Sequence, residues 1–131
     1  KRIELVCPAG NFPSVKAAAD NGADAVYIGL NNKTNARYFS GLNFSDTSIE
    51  KAVQYVRDHG RKVFVAINTY PQEKIWQQWC EAVDIGAGLG VDALIIADMP
   101  LIAIRRWRVI CRCKVRRPVW KRCCSITAIS A

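Results

Sequence analysis

The chain has 131 residues, half of them apolar, which is enough for one domain with a single core and excludes a disordered polypeptide. No apolar run approaches the ~20 residues that span a bilayer. The opening Lys1-Arg2-Ile3-Glu4-Leu5 has no long apolar stretch followed by a cleavage site, so no secretory leader is read and a cytoplasmic location is the expectation. The net charge of +8 is not spread over the chain: residues 105–131 hold nine basic residues and no acid, while residues 1–104 hold ten basic against eleven acidic ones. Cysteine divides the same way, with Cys7 and Cys80 in the body and Cys111, Cys113, Cys123 and Cys124 in the tail. Two lone body cysteines fit free thiols better than a disulfide framework.

In chain order, Ile3–Cys7 reads as a strand closed by Pro8-Ala9-Gly10. Pro13 suits a first helical turn, Val15, Ala18 and Ala19 follow at helical spacing, and Gly22 stops the segment. Ala25–Leu30 is almost wholly apolar, as in a strand covered on both faces. A polar loop runs from Asn31 to Asn43. Thr47 and Glu50 then make a capping box ahead of the stripe Ile49, Ala52, Val53 and Val56, and that helix ends at His59-Gly60. Lys62–Asn68 is a third strand. Pro71 precedes a helix over roughly 73–89 with Ile75, Trp76, Trp79, Ala82 and Val83 inward, Ala93–Asp98 is a fourth strand, and Met99-Pro100-Leu101 opens a fourth helix.

Four apolar strands alternating with helices imply right-handed crossovers and a parallel sheet. Gly22-Ala-Asp-Ala-Val-Tyr-Ile-Gly29 is echoed by Gly90-Val-Asp-Ala-Leu-Ile-Ile-Ala97, an offset of 68 residues or two units of about 34. That matches the ~30 residues per unit of an eight-unit barrel. The expected fold is α/β: the first half, about four β/α units, of a parallel TIM-like β/α barrel over 3–104, with an irregular basic Cys/Trp-rich tail over 105–131. A doubly wound open sheet is the alternative, disfavoured because Pro8-Ala9-Gly10-Asn11-Phe12 lacks a dinucleotide fingerprint.

Glu4-Leu-Val-Cys-Pro-Ala-Gly10, Asn21-Gly-Ala-Asp-Ala-Val-Tyr-Ile-Gly29, Thr34-Asn-Ala-Arg37, Phe39-Ser-Gly-Leu-Asn-Phe44 and Val65-Ala-Ile-Asn-Thr69 occur in order. This set resembles the collagenase-like peptidase family of unclassified catalytic type over roughly residues 3–104. The resemblance implies a barrel-like amino-terminal region of a protein more than twice this length. In the members that serve ubiquinone synthesis it implies a [4Fe–4S] cluster on four cysteines downstream of the matched region, and an oxygen-independent hydroxylation carried out with a UbiV-like second barrel protein. Other members are named proteases or act in tRNA hydroxylation. The chain itself shows no Ser/His/Asp set, no HExxH motif and a single His.

The tail follows none of the body's patterns. A basic nucleic-acid arm is one reading. A metal site is another, although Cys111-x-Cys113 and Cys123-Cys124 lack zinc-ligand spacing and have no nearby His. The third is a shifted reading frame. Back-translated with allowed codons and read from its third base, Arg106–Pro118 yields Leu-Ala-Ser-Asp-Leu-Pro-Val-Gln-Gly-Ser-Ala-Thr, a strand-like segment, and a Glu-Ala-Leu-type helical run follows it. Half a barrel leaves an open parallel edge at its first and fourth strands and an inner face without an opposite wall. The expectation for the isolated polypeptide is therefore low stability or aggregation.

In β/α barrels function gathers at the carboxyl ends of the strands. That directs attention to Cys7, Pro8, Gly10 and Asn11, to Asn35 and Arg37, to Asn68 and to Asp98. Arg37 could clamp a carboxylate bidentately, or fasten its loop through an ion pair. Asn68 could orient a substrate or tie down a turn. Asp98 could serve as acid/base or cap the next helix. Cys7 reads as a small buried hydrophobe, His59 as a favourable charge at a helix end, and Asp24 and Asp92 as turn residues on the opposite, stabilising face. The substrate-contacting set read from the sequence is Asn11, Asn35, Arg37, Asn68 and Asp98.

Overall fold

The computed structural model describes residues 3–103. The readings made for the tail (shifted frame, nucleic-acid arm, metal site) lie outside those residues. Strands β1 (Val6–Pro8), β2 (Ala25–Gly29), β3 (Lys62–Ile67) and β4 (Ala93–Ile96) alternate with helices α1 (Phe12–Asp20), α2 (Asp46–Asp58) and α3 (Trp76–Leu89). A 3₁₀ turn, Glu73–Ile75, leads into α3, and residues 99–103 are helical. All pairings are parallel, and the strands lie side by side in chain order.

One face of this sheet is covered. Val26, Ile28, Val63, Val65, Ile67 and Ile96 share a single buried cluster with Val15 of α1, Ile49 and Val53 of α2, and Trp79 and Val83 of α3. The alternate residues point the other way. Of these, Tyr27, Phe64 and Ile95 are only half-buried and Val6 is exposed. α1 packs on α2 and α2 on α3, so the helices form one layer. Sequential strand order with a one-sided helical layer is the arrangement of a β/α barrel, whereas a doubly wound sheet reverses its order and carries helices on both faces. No described helix is long and apolar enough to cross a membrane.

The 68-residue echo is structural as well as textual. Asp24 Oδ2 accepts from Leu5 N–H at 2.9 Å, and Asp92 Oδ2 accepts from Val63 N–H at 2.8 Å. Each Asp therefore caps the start of the preceding strand, as turn residues on the stabilising face should. Gly22 and Gly90 before them hold φ of 89° and 64°, a conformation that disfavours a side chain.

Three local expectations are corrected. β1 begins at Val6 rather than Ile3, because among the described residues its one neighbouring strand is β2 and the Leu5 N–H is taken by Asp24. α2 is capped by Ser45, not by the Thr47/Glu50 box: Ser45 Oγ accepts from Ser48 N–H, and Phe44 and Ile49 on either side of the cap both enter the core as a hydrophobic staple does. The third helix opens with a 3₁₀ turn, which leaves Ile75 and Trp76 packed only partly against the core while Trp79, Cys80, Ala82 and Val83 are buried. Cys7 is half-buried and packs against the same cluster.

On the outside of the helical layer, Tyr55 Oη donates to Asp20 Oδ1 at 2.8 Å, and His59 Nε2 lies 3.2 Å from the same oxygen. His59 Nδ1 sits 2.8 Å from the Tyr55 carbonyl, one turn back. The hydrogen bond to Asp20 raises the Tyr55 pKa, with desolvation and the Asp20 charge acting in the same direction. A raised pKa means that Tyr55 contributes stability at all pH values below the free-tyrosine value of ~10, and that this contribution disappears as pH rises through the folded value. In an alkaline titration followed by tyrosinate absorbance, one tyrosine should ionise later than in Asp20→Asn. Coincident curves for the two proteins would contradict the assignment.

Candidate functional site at the carboxyl edge of the sheet

The loop joining β2 to α2 lies across the carboxyl ends of its neighbours. Toward β1, Asn43 N–H donates to Gly10 O at 2.7 Å. Toward β3, Ala36 N–H donates to Asn68 Oδ1 at 2.8 Å, and Thr69 Oγ1 donates to Lys33 O at 2.7 Å. Its own ends are pinned by the bridge between Leu30 and Phe44.

Within the loop, side-chain amides replace regular backbone pairing. Thr34 and Asn35 are buried, so their polar atoms need partners. Thr34 Oγ1 donates to Asn32 Oδ1 at 2.6 Å. Asn35 Nδ2 donates to Asn43 Oδ1 at 2.9 Å, and its Oδ1 accepts from Arg37 N–H at 3.1 Å. Asn43 Nδ2 in turn donates to Arg37 O at 2.6 Å. Gly29, the last residue of β2, makes room for this network: a Cβ there would overlap the Asn35 amide.

The structure thus brings Asn35, Arg37 and Asn68 into one connected group and leaves Asn11 and Asp98 outside it. Asn11 is the N-cap of α1, accepting from Ser14 N–H at 2.9 Å and Ser14 Oγ at 2.8 Å. Asp98 Oδ1 accepts from Leu101 N–H at 2.8 Å, capping the helix that follows β4. Asn68 accepts a bond that ties down the loop. Arg37 is exposed, and among the described residues its guanidinium makes no ion pair. Asn43 and Gly29 belong to the group but were not singled out from the sequence. The available signal for Asn43 was its place in a turn, where it adopts φ of 76°, a conformation Asn tolerates better than most residues.

The mouth so built carries several amides, the exposed Arg37 on a backbone tied by two of them, and exposed aromatic rings at Tyr38 and Phe39. His59 is held by Tyr55 and Asp20 at the far end of α2, leading into the amino end of β3, away from this mouth. A [4Fe–4S] cluster needs four ligands, usually cysteine thiolates. The described residues do not supply them: Cys7 and Cys80 are the described cysteines, and among the described residues no three metal-binding groups come together.

The sequence profile of Peptidase family U32 matches residues 10–112. An uncharacterized protease of Methanocaldococcus jannaschii is 34% identical over 100 residues, covering 74% of this chain and 23% of that protein. The tRNA hydroxylation protein P of Helicobacter pylori (strain 26695) is 34% identical over 96 residues, covering 73% of this chain and 22% of the relative. The chain therefore spans about a quarter of the length of the curated relatives it matches. Among solved structures, a U32 peptidase superposes with a TM-score of 0.62 at 13% identity, covering 79% of this chain and 44% of that one, a likeness of fold alone.

Proposed function

This chain belongs to Peptidase family U32, and we propose that it is the opening section of a UbiU-like protein, a component of oxygen-independent ubiquinone biosynthesis that hydroxylates a polyprenyl-phenol precursor. One observation carries the reading. The sequence motifs behind the family resemblance meet at the mouth: Pro8-Ala9-Gly10 follows β1, Thr34–Arg37 lies on the crossing loop, and Asn68-Thr69 follows β3, joined by the hydrogen bonds of Asn43 to Gly10, Ala36 to Asn68 and Thr69 to Lys33. Loops at the carboxyl ends of barrel strands are where binding residues gather. In this reading the rest of the longer protein supplies the cluster cysteines and meets a UbiV-like partner. The cluster's contribution when bound is electron transfer. The contribution of this chain's own residues is to hold and orient an anionic molecule at Arg37.

A second reading has a specific support: a relative at 34% identity is named for tRNA hydroxylation. There the acceptor is a tRNA. Peptide hydrolysis, suggested by the relative named a protease, is third.

In the same reading, residues 105–131 are the product of a shifted frame, and genomic DNA across codons 104–131 tests it directly by restoring a fifth β/α unit or failing to. A frame-continuous gene should restore ubiquinone in anaerobic cells blocked at the ring-hydroxylation step, measured by mass spectrometry of extracted quinones. Hydroxylated tRNA nucleosides without quinone would move the assignment to the second reading. Peptide cleavage by the purified long protein lacking a cluster would move it to the third.

A further inference from the structure

The face of the sheet without helices is ordered by the strand register. Pro8, Tyr27, Phe64 and Ala93 form one row across the four strands, and Gly29, Ala66 and Ile95 lie in the row above it. The rings stand in the middle of the first row and small residues at its ends. Neither row carries a charge. At the amino end Lys62, two residues before Phe64 and so on the same face, is already paired with Glu4 at 3.1 Å. Covering this face therefore buries apolar surface and strands no lone charge of the two rows.

The edges are ordered as well. Leu5 O accepts from Ala25 N–H at 3.2 Å, and Ala9 N–H donates to Tyr27 O at 2.9 Å, so residues 5 and 9 turn their polar groups toward β2. Alternation along the strand turns the N–H and C=O of Val6 the other way, to an edge with no neighbouring strand among the described residues. β4 is the second open edge, and it runs in the same direction as β1. Unpaired strand edges are templates for another chain. Here the two edges of one molecule suit each other in a second copy, because β4 of the first can take β1 of the second in parallel.

Such pairing either continues without end or closes into a ring, according to the rotation at each step. A sheet that forms half of an eight-stranded β/α barrel turns through half a circle, so the second copy brings its own β4 back to the first copy's β1. Both edges are then used, both helical layers face outward, and the bare rows face each other. An eight-stranded interior is just wide enough for side chains to fill, which the two copies of Tyr27 and Phe64 would do. Residues 104–131 are the competing cover. They are rich in Lys and Arg, and the two rows offer them no acid.

We propose that two copies of this chain pair about a two-fold axis, β4 of each against β1 of the other, and close a β/α barrel around their bare faces. The strands of both copies then point the same way, so each copy completes the mouth of the other. A longer chain would meet these surfaces with later strands of its own; the pairing is that of this 131-residue polypeptide, and it is independent of the reaction assigned above.

The test uses the full 131-residue chain at physiological ionic strength. Sedimentation equilibrium should give one discrete species of twice the 14.6 kDa chain mass, dissociating on dilution. Hydrogen exchange at the Val6 amide should be slowed about tenfold in that species, the scale of one hydrogen bond, and should lose this protection as dilution releases the monomer. Phe64→Glu and Ile95→Glu place a carboxylate on the bare face and should each give a monomer with the parent's far-ultraviolet circular dichroism. Tyr55→Phe, on the helical layer, should pair as the parent does. A monomeric parent at high concentration, as expected if residues 104–131 cover the face, would overturn the proposal. So would an open-ended series of oligomers, a dimer that survives both glutamate substitutions, or a Val6 amide that exchanges equally fast in dimer and monomer. The dilution series reads the parent alone, so the outcome stands even if a glutamate variant fails to fold.

Discussion

Replacing Trp79 with Ala is expected to unfold the protein. Trp79 is 1% exposed, sits in the cluster that joins α3 to the sheet, and donates from Nε1 to Thr69 O at 3.1 Å. Truncating a buried Trp costs ~3–5 kcal/mol, and the Thr69 carbonyl loses its partner as well. A typical domain has only ~5–15 kcal/mol to lose. This one starts from less, because one face of its sheet has no helical cover and both edge strands, β1 and β4, are open among the described residues. Far-ultraviolet circular dichroism and urea titration should show loss of the cooperative transition in Trp79→Ala. A midpoint close to the parent's would mean that α3 is not held by this contact. The same bare face and open edges keep the expectation of low stability or association for the parent: a monomeric, sharply cooperative melt at high protein concentration would contradict it.

The second large effect is expected from a single methyl group. Gly29→Ala places a Cβ where the Asn35 amide sits, and that amide belongs to a buried, hydrogen-bonded side chain with little room to move. Overpacking of this kind costs ~1–3 kcal/mol, and displacing Asn35 breaks its bonds to Asn43 and to Arg37 N–H. The loop from 31 to 45 should then become the first site of limited proteolysis, and anion binding at the mouth should fall with it. Gly22→Ala is the informative comparison. Gly22 has φ of 89° with nothing within 4 Å of a Cβ, so its cost is backbone strain alone and the mouth should be untouched. Equal proteolysis patterns in the two variants would show that Asn35 is not seated as described.

Much of the architecture was legible because local rules carry it. Val63, Val65 and Ile67 alternate as strand residues do, Ile49, Ala52, Val53 and Val56 recur at helical spacing, and Gly22-x-Asp24 and Gly90-x-Asp92 punctuate equivalent turns. Element ends were less legible. Ser45 outcompetes Thr47 as a cap because Phe44 and Ile49 must reach the core together, and that is a tertiary demand. The mouth was legible as a place but not as a network. Asn68 stood out by ending a strand, and Asn35 and Arg37 by lying on the long loop after one. That Asn68 binds Ala36, 32 residues away, could not be read from spacing. Asn11 and Asp98 lie at strand ends too, and their oxygens cap the helices that follow.

The sequence by itself determined the alternation of strand and helix, the parallel sheet that follows from crossover connections, and the family resemblance, since each rests on periodicity or on short ordered motifs. The tertiary structure decided that the helices share one side of the sheet, and that two amides close on the backbone of Arg37 while a third, Asn68, takes the N–H of Ala36. The physical reason is range. Period and propensity act over a few neighbouring residues, whereas the partners of a buried amide are whichever groups folding brings within 3 Å or so.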